Sequence, residues 1–425
     1  MCGIIGYLGP QEAMPILLDG LKRLEYRGYD SAGMAVIGHN GLTIRRSLGK
    51  LRELEKALTQ EPLAGTVGIG HTRWATHGRP SEVNAHPHQV GDIAVVHNGI
   101  IENYLALKEN LLKEGHRFAS ETDTEIVSHL VVRHLKHGAD YLQAIQLTLQ
   151  EIKGSYALTI INAQEPRMLV AARKESPLIL GIGEGEFFLA SDIPAILPYT
   201  RRVIFLEDHD LVVVRDGEFF LLNGHGQRVD RPEHTITWSP AMAEKAGYKH
   251  FMQKEIFEQP RALIDTFRSR IRLEEGEVFL QEVPFSSEDL QALRKIFIVA
   301  CGTSFHAAMV GKHLLESLCR LPVEVDLGSE FRYRDPLVDE STLLIPISQS
   351  GETADTRAGL TAGKQKGAKT LAICNVVGSS IARESDCVFY THAGPEIGVA
   401  STKAFTTQLV ALYLIALYLG QRLGR

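Results

Sequence analysis

The stretch Cys2-Gly3-Ile4-Ile5-Gly6-Tyr7-Leu8 reads as an apolar strand with a thiol directly ahead of it. Cysteine is small enough for Met1 to be removed, which leaves Cys2 with both a thiol and a free α-amine. An α-amine with a pKa of roughly 7.7–8.0 can take the proton of a thiol whose reference value is about 8.5. Together they supply a nucleophile and its base without a histidine. The same seven residues also suit an ordinary buried strand, so the decision rests on the residues downstream of them.

Up to about Trp238, short apolar runs at 3–8, 32–37, 66–71, 93–97, 156–162, 168–172, 187–190 and 211–215 are bounded by glycine or polar turns. Helical periodicity appears at 101–113, 124–137 and 141–153, with Thr122 and Asp123 as caps for the second. Strands with grouped helices predict a layered α+β domain. From about Lys295 the pattern alternates strictly. Strands at 296–300, 342–348, 370–375 and 387–391 are interleaved with helices at 305–318, 354–366 and from 405 onward, which predicts a parallel α/β sheet. The reading divides the chain into a domain at 1–239, a polar, helix-prone linker at 240–289 and a second domain at 290–425.

Composition agrees with two domains, because a chain of 425 residues exceeds a single core. A hydrophobic content of 44% and a charged content of 23% are those of an ordinary globular protein. The net charge of -6 gives no electrostatic reason to seek nucleic acid or anionic lipid. The longest apolar stretch, 409–419, falls short of the ~20 residues that span a bilayer and reads as a buried helix. No basic segment precedes an apolar run at the start, so no signal peptide is expected. The five cysteines, Cys2, Cys301, Cys319, Cys374 and Cys387, lack paired spacing and suggest a reducing cytoplasm with no zinc framework.

Three polar segments in the first half sit near strand ends, where chemistry is mounted on a rigid scaffold. They are His71-Thr72-Arg73-Trp74-Ala75-Thr76-His77-Gly78 with Asn84-Ala85-His86-Pro87-His88, then His97-Asn98-Gly99, then Ser120-Glu121-Thr122-Asp123-Thr124-Glu125. Read singly, Arg73 is an ion-pair partner, Asn98-Gly99 a turn and Asp123 a helix cap. The five histidines could hint at a metal, but no ligand spacing supports one, and strand-end hydrogen bonding is the other reading.

Together with Cys2-Gly3-Ile4 and Arg27-Gly28-Tyr29-Asp30-Ser31-Ala32-Gly33, these segments resemble the glutaminase domain of the class II amidotransferases. Within that class they are most similar to the glucosamine 6-phosphate synthases. The resemblance implies an N-terminal-nucleophile sandwich of αββα layers. It implies that Cys2 attacks the side-chain amide of glutamine, and that the Asn98 amide and Gly99 N–H form the oxyanion hole. It further implies that Arg73 holds the α-carboxylate and Asp123 the α-ammonium, with Trp74, Thr76, His77 and His86 lining or closing the pocket.

In the second half, Cys301-Gly302-Thr303-Ser304 and Ser348-Gln349-Ser350-Gly351-Glu352-Thr353 are hydroxyl-rich turns between a strand and a helix. Such turns suit a phosphate at a helix N-terminus, and they also suit simple helix caps. This half resembles the sugar isomerase (SIS, flavodoxin-like) module of phosphosugar isomerases and of the same synthases. The resemblance implies sugar-phosphate contacts from Thr303, Ser304, Ser348, Gln349, Ser350 and Thr353, with Val399 and Ser401 from the segment 394–404. Lys403 does not match the family's Schiff-base lysine.

The implied reaction takes ammonia from glutamine to fructose 6-phosphate, giving glucosamine 6-phosphate and glutamate, with a shielded path for the ammonia and no cofactor. A homodimer is implied for full-length members. Members carry a second isomerase module, whereas this chain has one, so glutamine hydrolysis with sugar binding but no turnover is the expectation. Two alternatives remain at this point: another class II amidotransferase, or a phosphosugar sensor with a vestigial glutaminase.

Overall fold

The computed structural model describes residues 2–25, 28–39, 41–236, 247–272 and 274–425. Met1, Arg27 and the expected boundary at 239–240 lie outside the described residues. The chain divides into two compact units, Met1–Pro240 and Ala241–Arg425.

The first unit runs β1 (Gly3–Leu8), α1 (Ala13–Leu24), β2 (Ser31–Gly38), β3 (Gly41–Leu48), α2 (Leu51–Gln60), β4 (Val67–Arg73), β5 (His88–Val90) and β6 (Ile93–Ile101). Three helices come next, α3 (Tyr104–Lys113), α4 (Glu125–Lys136) and α5 (Tyr141–Glu151). It closes with β7 (Gly154–Asn162), β8 (Met168–Lys174), β9 (Ile179–Ile182), β10 (Phe187–Ala190), β11 (Arg202–Phe205), β12 (Leu211–Arg215), β13 (Glu218–Leu222), β14 (Arg228–Val229) and β15 (Glu233–Thr235). Two sheets form, in the orders β15-β11-β9-β10-β1-β4-β2-β3 and β14-β13-β12-β8-β7-β6-β5.

Alternation along the strands separates the layers. Ile4, Ile69 and Leu189 of the first sheet meet Val96, Ala157 and Leu169 of the second in one buried core. Val95, Leu158 and Val170 point the other way, onto Ile126, Leu130 and Ile145 of α4 and α5. On the outer face of the first sheet, α1 buries Ile16, Leu17, Leu21 and Leu24. The result is the expected αββα sandwich, and β1 is buried along its whole length.

Helices α1 and α2 are not among the expected elements. Pro15 and Gly20 blur the helical pattern of α1, yet Gly20 is what lets it cross β1, since a Cβ there would lie 2.9 Å from Ile5 Cγ1. In α2 the buried Leu51, Leu54 and Leu58 carry a legible helical spacing. The strand expected at 93–97 continues to Ile101, so Asn98 and Gly99 lie inside β6 opposite Ala157 and Tyr156, and not in a turn.

The second unit contains α6 (Phe251–Phe267), β16 (Ile271–Arg272), β17 (Glu277–Val278), α7 (Ser287–Ala292), β18 (Lys295–Ala300), α8 (Gly302–Cys319), β19 (Val323–Leu327) and α9 (Gly328–Tyr333). It continues through β20 (Thr342–Ser348), α10 (Ala354–Gln365), β21 (Lys369–Cys374), α11 (Ser380–Glu384), β22 (Cys387–Tyr390) and α12 (Lys403–Arg422). Five parallel strands take the order β19-β18-β20-β21-β22. One sheet face packs Ile298, Ile345 and Leu371 against Leu315, Leu412 and Ile415. The other packs Phe297, Val299 and Leu344 against Phe331 and Leu360.

Of the linker expected at 240–289, the described residues from Phe251 onward are instead part of this unit. Thr266 Oγ1 donates to Thr391 O at 2.6 Å, Glu255 accepts the Ile397 N–H at 2.6 Å, and Glu258 pairs with buried Lys403 at 2.7 Å. Among the described residues, α12 is the one helix long and apolar enough to cross a membrane, and 61% of its most apolar window is buried inside the fold.

Candidate active sites

Cys2 stands at the head of β1, whose antiparallel register with β4 pairs Gly3 with Thr72 and Ile4 with His71. That register carries the chain beyond Arg73 past the thiol. The Trp74 N–H donates to Cys2 Sγ at 3.1 Å, and the Sγ lies 3.6 Å from Trp74 O. From the other sheet, Asn98 Nδ2 donates to Cys2 O at 3.3 Å. Burial pushes the Cys2 thiol up, against the opposing pull of the Trp74 N–H and the Arg73 charge. A thiol so placed stays protonated at neutral pH and needs a base to become a nucleophile.

Gly99 has φ +134°, and a Cβ on it would lie 2.1 Å from Ser155 O, so only glycine fits this position in β6. Asn98 in turn is oriented by His71, whose Nε2 lies 2.9 Å from Asn98 Oδ1.

Arg73 is buried at the end of β4 and donates through Nη2 to His77 O and, at 3.2 Å, to Gly78 O. Its Nη1 is buried with no hydrogen-bond partner in the protein. Asp123 is also buried. Its Oδ2 accepts the Ile101 N–H at 2.8 Å, and its Oδ1 lies 3.8 Å from His77 Nδ1. The structure therefore gathers Cys2, Asn98, Gly99, Arg73, His77 and Asp123 around the ends of β1, β4 and β6.

The remaining expected pocket residues divide. Trp74 is 55% exposed and lies over Gly28, where a Cβ would come 2.8 Å from the indole. Thr76 is exposed, and its Oγ1 lies 3.4 Å from Nδ1 of His77, whose ring meets Tyr104 edge-on at 5.0 Å. His86 differs from these, being buried with its ring stacked on His71 at 4.2 Å and met edge-on by His88 at 4.8 Å. The buried histidines hydrogen-bond across loops, His88 to Thr122 and His97 to Thr124, both at 2.9 Å. Burial holds His71 and His88 at about 3 and drives His86 and His97 down as well.

Three supporting residues escaped the sequence reading. Besides His71, Asp30 pins the turn after β4, its Oδ2 accepting the Ala75 N–H at 2.5 Å and its own N–H donating to Arg73 O at 2.8 Å. Glu125 accepts the N–H groups of Ala119 and Ser120 at 2.8 and 2.7 Å and so sets the loop that carries Asp123. All three stand inside the quoted polar segments, and that place was their one sequence signal.

In the second unit both hydroxyl-rich segments lie at the carboxyl ends of the adjacent strands β18 and β20; 348–353 is a turn ahead of α10, whereas α8 starts at Gly302 and not at the expected 305, so Thr303 and Ser304 belong to its first turn. A ligand of an open parallel sheet binds at such an edge. Ser348 Oγ accepts the Gly351 N–H at 2.9 Å and lies 2.9 Å from Thr353 Oγ1, and Ser350 Oγ accepts the Glu352 N–H at 3.2 Å. Gln349 is half-buried beside them. At the other turn Thr303 is exposed, while Ser304 is buried and accepts from Gln408 Nε2 at 3.0 Å. Val399 is 82% exposed, and Ser401 donates to Glu396 at 2.8 Å within its own loop. A third element was not foreseen: Glu352 receives the Ser380 N–H at 2.7 Å and its hydroxyl at 2.8 Å, tying α11 to the same turn.

A family model for the glutamine amidotransferase domain matches residues 71–198, and one for the SIS domain matches residues 289–418. The glutamine–fructose-6-phosphate aminotransferase [isomerizing] of Caldanaerobacter subterraneus subsp. tengcongensis is 55% identical over 419 residues, covering 98% of this chain and 68% of that protein. The protein of the same name from Clostridium tetani is 52% identical over 426 residues, covering 100% of this chain and 70% of that one. Among solved structures, the C-terminal domain of glucosamine-fructose-6-phosphate aminotransferase from Francisella tularensis is 46% identical, covers 43% of this chain and 50% of that chain, and gives a TM-score of 0.40.

Proposed function

The chain belongs to the glutamine–fructose-6-phosphate aminotransferase (isomerizing) family, and on that premise we propose that its first unit hydrolyses glutamine at Cys2 and its second binds fructose 6-phosphate. One observation carries the first half of this reading: a strand-end thiol, an asparagine donor, a buried arginine and a buried aspartate converge around one strand end.

The α-amine of Cys2, once Met1 is gone, takes the thiol proton as sulfur attacks the δ-carbonyl carbon of glutamine. Asn98 Nδ2 and the Gly99 N–H receive the negative charge that builds on the carbonyl oxygen. Collapse of the tetrahedral adduct breaks the C–N bond, and ammonia leaves with the proton held by the amine. The thioester left on Cys2 is then hydrolysed to glutamate, with water supplying the oxygen and the proton that restores the thiol.

The guanidinium of Arg73 offers its unpartnered Nη1 to the α-carboxylate, and Asp123 accepts from the α-ammonium. Trp74, Thr76 and His77 border this end of the site, and His86 acts from beneath it. In the second unit Ser348, Gln349, Ser350 and Thr353, with Thr303 and Ser304 from the first turn of α8, hold the phosphate, and the family resemblance adds Val399 and Ser401 of the 394–404 loop. In the family reaction the released ammonia aminates fructose 6-phosphate to give glucosamine 6-phosphate. Five cysteines without paired spacing support a cytoplasmic setting, and the family resemblance supports a homodimer.

Family membership removes the other amidotransferase chemistries from consideration. A sugar sensor with an idle thiol is tested directly. A glutamine-shaped electrophile should label Cys2, active protein should lack Met1 by mass spectrometry, and Cys2→Ala should release no glutamate. Full hydrolysis by Cys2→Ala would end this reading.

A further inference from the structure

An asparagine amide can present either its oxygen or its nitrogen to a neighbour, and only the surrounding hydrogen bonds decide which. For Asn98 the choice decides whether a donor or an acceptor faces the reacting carbonyl. Asn98 Nδ2 is turned toward Cys2 O at 3.3 Å, and Oδ1 is turned toward His71 Nε2 at 2.9 Å. An acceptor oxygen at that distance requires a proton on Nε2, so His71 is the Nε2–H tautomer and Nδ1 is bare. Nδ1 is indeed buried with no hydrogen-bond partner, and its ring is covered by His86 at 4.2 Å.

We propose that His71 is a positioning residue for glutamine hydrolysis: its Nε2–H fixes the Asn98 amide so that Nδ2 faces the developing oxyanion. This rests on the glutaminase reading above and goes beyond it, because His71 is fully buried and acts through Asn98. The bond also links the two sheets. His71 lies on β4, paired with Ile4 just beyond the nucleophile, and Asn98 lies on β6 of the opposite sheet, so this hydrogen bond joins the direct Asn98–Cys2 contact in holding nucleophile and donor together. Burial keeps the ring neutral, with its proton-binding pushed down to about 3, so the tautomer persists through the working pH range.

The test uses the full chain and compares native protein with His71→Leu and His71→Gln in glutamine hydrolysis. Leucine has no donor, while the glutamine amide can still donate to Asn98 Oδ1. His71→Leu is expected to lower kcat by about 10²-fold, the scale of losing one oxyanion donor, with KM changed less than threefold. Alkylation of Cys2 by iodoacetamide, which needs no oxyanion hole, should stay near the native rate, and His71→Gln should recover at least tenfold of the lost kcat. Native-like kcat in His71→Leu overturns the proposal, as does an equal fall in alkylation or a glutamine variant no better than leucine. Nitrogen-15 NMR of the labelled native protein decides independently of any variant's folding, since a protonated Nδ1 with a bare Nε2 would also overturn it. If native chain releases no glutamate while NMR shows the expected tautomer, the glutaminase reading fails by itself and takes the catalytic role of His71 with it.

Discussion

Gly99 faces the carbonyl of Ser155 so closely that a Cβ would sit 2.1 Å from its oxygen. This contact across β6 and β7 leaves the backbone of β6 no freedom at the point where it passes the nucleophile. Gly99→Ala must move one strand and hold alanine at φ +134°, a strain of about 1–3 kcal/mol before the clash is counted. The melting temperature should fall by about 5–10 °C by calorimetry, and glutamate release should fall with it. An alanine variant as stable and active as native would show that the contact relaxes freely.

Arg73→Lys keeps the charge and loses the fork. The native guanidinium donates to the carbonyls of His77 and Gly78 and still has Nη1 to spare. A lysine ammonium cannot hold the turn and a carboxylate together, so KM for glutamine should rise about 10- to 100-fold while kcat falls less. Steady-state kinetics over a wide glutamine range checks this, and an unchanged KM would remove Arg73 from substrate binding.

Ser348→Ala deletes the acceptor of the Gly351 N–H and the neighbour of Thr353 Oγ1, both at 2.9 Å. The affinity for fructose 6-phosphate should drop about 10-fold by titration calorimetry, on the scale of one lost hydrogen bond of about 1.5 kcal/mol to a charged group. Native affinity in this variant would point the sugar elsewhere.

Acid should unfold the first unit early. His71, His86, His88 and His97 are all driven below their ordinary value by burial, His71 and His88 to about 3. Between pH 6.5 and about 3 the unfolded chain binds protons that the native chain refuses. Their contribution to stability is therefore complete above pH 6.5 and is lost as pH falls toward 3. Each such histidine contributes a slope of up to ~1.4 kcal/mol per pH unit. Urea midpoints at pH 7, 6 and 5 should fall in step, and His86→Leu should flatten the trend by about one proton; an unaltered slope would contradict the buried neutral ring.

How far each residue was legible in the sequence depends on how it works. Cys2 ahead of a glycine-bounded apolar run, and the β–α alternation from Lys295, are local patterns; β1 and four of the five parallel strands appear where they predict, and the edge strand β19 was not expected. Cys2, Arg73, Asn98 and Asp123 converge because the segments bearing them meet around the ends of β1, β4 and β6. His71 and Glu125 were invisible as supports because their roles exist only in the folded chain, His71 reaching Asn98 between sheets and Glu125 tying down the loop before its own helix. Asn98 and Gly99 read locally as a turn, and only pairing with β7 keeps them in a strand. The polar stretch from 251 looked like a tether because its helix carries Pro260 and many charges. Its partners, Thr391, Ile397 and Lys403, lie more than a hundred residues away.

That last arrangement bears on how the second half could be produced alone. A fragment begun at residue 290 would lack Thr266, Glu255 and Glu258. It would bring Lys403 to the surface of a torn core with its carboxylate gone, and would bare the face of the final helix to aggregation. A fragment begun ahead of Phe251 keeps that helix clothed. For crystallographers and assay builders the natural cut therefore falls some forty residues earlier than hydropathy alone would advise.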